Sequence, residues 1–163
     1  MWTPKPEVDD IVSETDPQAE AIYQACLDRI NVLFWARDWD QLADSIAIPN
    51  RISAPDTERV FATHDEWIVN AKAARETFAQ IGATEYHRLC RAARFTDDAR
   101  AFIVGLHETY ILRRSAFAIP AYRAFMHMRL CDDGTWRSHG LHSEQRETTL
   151  PTIHADQMKP LPR

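Results

Sequence analysis

From residue 84 the chain stops repeating at helical spacing and begins to alternate. TEYHRLCRAARF (84–95), ARAFIVGLHETYILRR (99–114), FAIPAYRAFMHMRL (117–130) and TWRSHGLHSEQ (135–145) are separated only by TDD, RRS and CDDG. Short turn signals between long strand-like runs make the neighbours antiparallel. In the second run one face carries Ala101, Ile103, Gly105, His107, Thr109 and Ile111, and the other Phe102, Val104, Leu106, Glu108, Tyr110 and Leu112. Both faces are largely apolar, so both must be covered. One faces the rest of the chain, and a second copy of the sheet is the simplest cover for the other, which predicts a homodimer through that face.

Helices come first. Asp16-Pro17 has the form of an N-cap followed by proline at the first helical position. Ile22, Cys26, Ile30 and Leu33, with Tyr23, Leu27 and Phe34, then form a wide apolar stripe at helical spacing. This helix stops near Ala36-Arg37, and Asp38 with Gln41 forms a capping box for a short second helix. Pro49 cannot continue a helix, so NRISAPD is expected to be extended, and 50–62 reads as a hairpin. Thr63 and Glu66 make another capping box, before Trp67, Ile68, Ala71, Ala74, Phe78 and Ile81 at helical spacing. Gly82 ends that helix. Helices followed by strands define an α+β class, with a long bent sheet wrapped around the helices. The expected division is an extended, proline-rich arm at 1–15, one domain at 16–145, and a tail at 146–163 that packs against something.

The 163 residues suffice for one domain with a core. A net charge of −5 argues against nucleic-acid binding, which needs a basic face. The Arg88, Arg91 and Arg94 group does not change this, because acidic residues are spread among it. The absence of an 18-residue apolar run predicts no membrane span. MWTPKPEVDD lacks an apolar core, so no signal peptide is expected. Cys26, Cys90 and Cys131 are too few for a disulfide framework and read as buried, reduced thiols in a cytoplasmic protein. Four glycines cannot build a phosphate-cradling loop, so no nucleotide cofactor, and no cofactor of any kind, is expected.

A first helix ending in ARDWDQLADSIA, then a proline, a hairpin, VFATHDEWIVNAKAARETF and four strands resembles the nuclear transport factor 2-like superfamily, its SnoaL-like branch in particular. The resemblance covers 16–145. It implies a cone-shaped fold, in which a curved antiparallel or mixed sheet closes around helices and a pocket opens at the wide end. Members include ketosteroid isomerases, polyketide cyclases, dehydratases and non-enzymatic binding or dimerisation domains, and the fold does not choose among them. Isomerase-like members use a carboxylate base just before a proline in the first strand; this chain has Ala54 before Pro55. Asp56 follows two residues on and reads as a turn residue.

The same resemblance aligns IPAY with the strand that holds a developing oxyanion and so supplies Tyr122. Tyr122 is a pocket-lining donor or a core tyrosine. His107, beside Gly105 and Thr109, points into the pocket if that face is the concave one; otherwise it is a satisfied histidine of the core or interface. His107 and Tyr122 are the candidate catalytic pair. Trp35, Trp39, Thr109, Tyr122, Met126 and Met128 are the candidate ligand contacts, the tryptophans and methionines having core positions as the alternative. His127 falls on a mixed outward face. His139 and His142 are three apart in HGLH, which points them to opposite faces of a strand, and no acid cluster has ligand spacing, so no metal site is expected. The reading is a domain that binds a small apolar or flat molecule. The alternatives are a cofactor-independent isomerase, cyclase or dehydratase using His107 and Tyr122, and a dimerisation module with a filled core.

Overall fold

The computed structural model describes residues 7–153. After α1 (Val8–Ser13) come α2 (Pro17–Ala36) and α3 (Trp39–Asp44). The Asp16 carboxylate accepts from the amides of Gln18 and Ala19 and starts α2, which ends on Arg37 in the left-handed region. Asp38 accepts from the Gln41 amide and starts α3. Then follow β1 (Ile46–Ala54), β2 (Thr57–Phe61), α4 (His64–Gln80), β3 (Glu85–Phe95), β4 (Phe102–Arg113), β5 (Ala116–Phe117), β6 (Tyr122–Leu130) and β7 (Trp136–Ser143).

The strands form one curved, open, mixed sheet in the order β2-β1-β7-β6-β4-β3, with β5 added to β4. Only β1 and β7 run parallel; the other pairings are antiparallel. The architecture is therefore α+β. Against the inner face pack Tyr23, Leu27, Ile30 and Phe34 of α2 and Ala71, Ala74 and Phe78 of α4, meeting Ile103, Ile111, Met126 and Met128 of the sheet.

Four local differences from the sequence reading have physical causes. Residues 8–13 are helical instead of extended, because Ile11 is fully buried against Ala92, Val104, Leu106 and Phe125 on the outer face of the sheet. Part of the face that needed a cover is thus covered by this chain. β1 begins at Ile46, ahead of Pro49; the proline falls between Ile46 and Arg51, where pairing to β7 is irregular and a missing N–H costs no ladder bond. Pro120 splits the run 117–130 into a short β5 and a separate β6. Finally, β7 bulges: His127 pairs with Gly140 but Met128 with Ser138, leaving His139 as the extra residue. The bulge puts His139 and His142 on the same outer face, with the His139 ring 5.9 Å from His127 and the His142 ring 6.3 Å from Phe125.

The segment after β7 closes one end of the cone. Asp56, at the β1–β2 turn, accepts from the amides of Glu147 and Thr148. The Glu147 carboxylate in turn holds the Thr152 amide and hydroxyl and the Ile153 amide, and Leu150 is buried in the main core. Residues 1–6 and 154–163, which complete the expected arm and tail, lie outside the described residues. Among the described residues no helix is long and apolar enough to cross a membrane. The three cysteines are unpaired; Cys26 is buried, whereas Cys90 and Cys131 are half-buried.

Candidate functional site

Alternation along β4 turns Gly105, His107 and Thr109 toward the helices, and alternation along β6 does the same for Tyr122, Ala124, Met126 and Met128. Between this face and helices α2 and α4 lies a cavity of about 110 Å³. Its helical walls are Ile30, Phe34, Ala71 and Phe78. Its polar groups come from Arg88 and His107 on the sheet, from Thr109 and Tyr122 beyond them, and from Trp67 and Asn70 on α4. Thr152 of the closing segment also reaches it, and the Asn70 amide donates to the Thr152 carbonyl. Among the described residues, no aspartate or glutamate lines it.

His107 is fully buried, and its Nδ1 lies 2.6 Å from the Tyr23 hydroxyl. Burial pushes the Tyr23 hydroxyl well above the usual tyrosine range, so it keeps its proton. Burial, helped by the positive charge of Arg88, holds His107 well below the ordinary histidine value, so the ring is neutral. Nδ1 is the only acceptor that the Tyr23 hydroxyl meets among the described residues, so Tyr23 donates and Nδ1 accepts, which leaves the proton of the neutral ring on Nε2. That Nε2 is buried, has no hydrogen-bond partner among the described residues, and belongs to a residue of the cavity wall. Gly105 makes the arrangement possible: a Cβ there would stand 2.2 Å from the Tyr23 ring.

Tyr122 pairs across the sheet with Thr109, one diagonal step from His107. Burial raises its pKa, and the Thr109 hydroxyl beside it opposes the rise. Tyr122 is thus a protonated donor.

The structure brings His107, Thr109 and Tyr122 to one cavity and leaves the other named residues out of its wall. Met126 and Met128 are 1% and 0% exposed in the core, further along β6. Trp35 is a helical step of about 100° beyond the inward Phe34 and carries the Arg75 guanidinium 3.8 Å above its ring. Trp39 packs edge-on against Phe34. Three residues had not been singled out: Tyr23, Trp67 and Arg88. Arg88 was legible, since alternation puts it on the face of Tyr86 and Cys90; Tyr23 had been counted only as part of an apolar stripe.

No family model matches the chain, and no curated protein matches it. Solved structures do match in shape. An NTF-2 like protein of unknown function from Shewanella oneidensis superposes with a TM-score of 0.59 at 12% identity, covering 77% of this chain and 98% of that one. A protein of unknown function with a cystatin-like fold from Nostoc punctiforme gives 0.62 at 12% identity, covering 86% and 99%. A ketosteroid isomerase-like protein from Erwinia carotovora atroseptica gives 0.57 at 12% identity, covering 79% and 97%. The chain has the nuclear transport factor 2-like, cystatin-like fold.

Proposed function

We propose that this chain binds a small molecule in the cavity between the sheet and helices α2 and α4. The observation that carries the reading is the buried Nε2 of His107, a residue of that cavity's wall, which has no hydrogen-bond partner among the described residues. A buried donor without an acceptor costs about 1–3 kcal/mol, and a ligand acceptor would remove that cost. The apolar helical walls suit the body of such a ligand, and Thr109 and Tyr122 offer further polar contacts. Trp35, Trp39, Met126 and Met128 support the site from outside its wall. The cavity weighs against a filled core serving dimerisation alone. Native mass spectrometry of the purified protein tests the reading. A bound small-molecule mass that is lost on denaturation is expected; a bare chain that no small molecule stabilises would sink it.

A second reading, a cofactor-independent isomerase, cyclase or dehydratase, is favoured by the shared placement of His107 and Tyr122 on one cavity wall. Binding is preferred because Asp56 is engaged at the β1–β2 turn by the Glu147 and Thr148 amides, no carboxylate among the described residues lines the cavity, and His107, on the cavity wall, carries a proton on Nε2 instead of a lone pair. We also propose a homodimer through the outer sheet face beside α1, where Phe102 and Leu89 are exposed, to be tested by sedimentation at micromolar concentration. The unpaired thiols suit a cytoplasmic setting.

A further inference from the structure

Resting on the binding reading above, we propose that the ligand of this cavity is a small carboxylic acid in its anionic form, with Arg88 as its counterion. Arg88 stands on the inner face of β3 between Tyr86 and Cys90, is 6% exposed, and lines the cavity. Its Nε donates to Asn31 Oδ1 at 2.7 Å, and its guanidinium carbon lies 5.6 Å from the centroid of the Tyr86 ring. It forms no ion pair with a carboxylate among the described residues, whereas Arg91 and Arg94 on the same strand pair with Glu108 and Glu14. A buried guanidinium without a counter-charge is costly, and its fork of N–H groups matches a carboxylate.

Two further observations point the same way. The indole Nε1 of Trp67 is buried without a partner among the described residues, and Trp67 is part of the same wall. An indole nitrogen can only donate. His107 Nε2, protonated as derived above, is the second orphan. Side chains with arginine, indole and imidazole N–H groups thus line one cavity, and no aspartate or glutamate among the described residues lines it to accept from them. A ligand that satisfies three donors must bring acceptors, and beside a cation it should bring negative charge. The size is bounded too: 110 Å³ is below the ~300–1,000 Å³ of drug-sized sites and of the order of the ~150 Å³ that holds benzene. The occupant is a short-chain or single-ring acid.

The test titrates acetate, butyrate, benzoate, benzamide and toluene into the full chain at pH 7. It follows the Trp67 indole N–H by NMR, assigned with Trp67→Phe. At least one acid is expected to shift that resonance and to bind at least about tenfold tighter than benzamide or toluene. Arg88→Met should lose at least about tenfold of that affinity, and Arg88→Lys less. The comparison of acids with neutral compounds on the unaltered chain stands even if Arg88→Met does not fold. Benzamide or toluene binding as tightly as every acid would overturn the anion assignment and leave the binding reading intact, as would unchanged affinity in a folded Arg88→Met. No binding of any of the five up to about 10 mM would overturn both.

Discussion

The Tyr23 hydroxyl, on the first long helix, donates to His107 Nδ1 across 2.6 Å and fixes which ring nitrogen carries the proton. The pair is separated by 84 positions in sequence, and it determines whether the cavity meets an N–H or a lone pair.

Tyr23→Phe removes the donor and leaves Nδ1 buried without a partner. Stability should fall by about 1–3 kcal/mol in urea unfolding. The sharper readout is the tautomer: the nitrogen shifts of His107 should change from a single Nε2–H form to a mixture. An unchanged tautomer would show that Tyr23 does not set it.

Gly105→Ala should be among the most damaging single-methyl additions in the protein, because the new Cβ would lie 2.2 Å from the Tyr23 ring and 2.5 Å from two further ring atoms. Overpacking of this kind costs about 1–3 kcal/mol or more. Tyr23→Phe should not relieve it, since the clashing ring remains. Tyr23→Ala should, so a Tyr23→Ala/Gly105→Ala double variant is expected to be less destabilised than the sum of the two singles.

Acid should destabilise the fold through its histidines. Burial pushes His127 down to about 4, with His139 and His142 adding repulsion, and burial with Arg129 nearby pushes His139 down to about 4. These folded-state values lie below the unfolded value near 6.5, so the unfolded chain binds protons first. The stabilisation is complete above about pH 6.5 and is lost as pH falls toward 4. His107, also depressed, adds to the loss in the same direction. The urea midpoint should decline across that window, and His127→Gln should flatten the decline by roughly 3 kcal/mol. A midpoint flat from pH 7 to 4 would contradict this.

Glu147 organises the closing segment through three acceptor contacts to Thr152 and Ile153. Glu147→Ala should loosen that segment, accelerate tryptic cleavage after the exposed Arg146, and leave the sheet intact by circular dichroism. Leu150→Ala, which removes a side chain 2% exposed in the main core, should act in the same direction and cost about 2–5 kcal/mol.

Much of the architecture was legible before any coordinates. The cap at Asp16, the restart at Asp38 and the helix after Thr63 each rest on a local hydrogen bond between near neighbours. The same locality explains the errors. α1 looked extended because its helix depends on one buried isoleucine meeting a sheet formed by residues 92–125. HGLH looked two-sided because a bulge in β7 is invisible until the strand pairs with β6.

The site divides in the same way. Alternation in the sequence alone puts His107 with Thr109 on one face of its strand and Tyr122 with Ala124, Met126 and Met128 on one face of the next, and could have put Arg88 beside Tyr86. Which face looks inward, which nitrogen of His107 carries the proton, and that Arg88 has no carboxylate partner among the described residues were decided only when α2 laid Tyr23 against Gly105 on the curved sheet. Periodicity is a property of neighbouring residues along the chain, whereas burial, tautomer and charge balance belong to groups that meet only after folding.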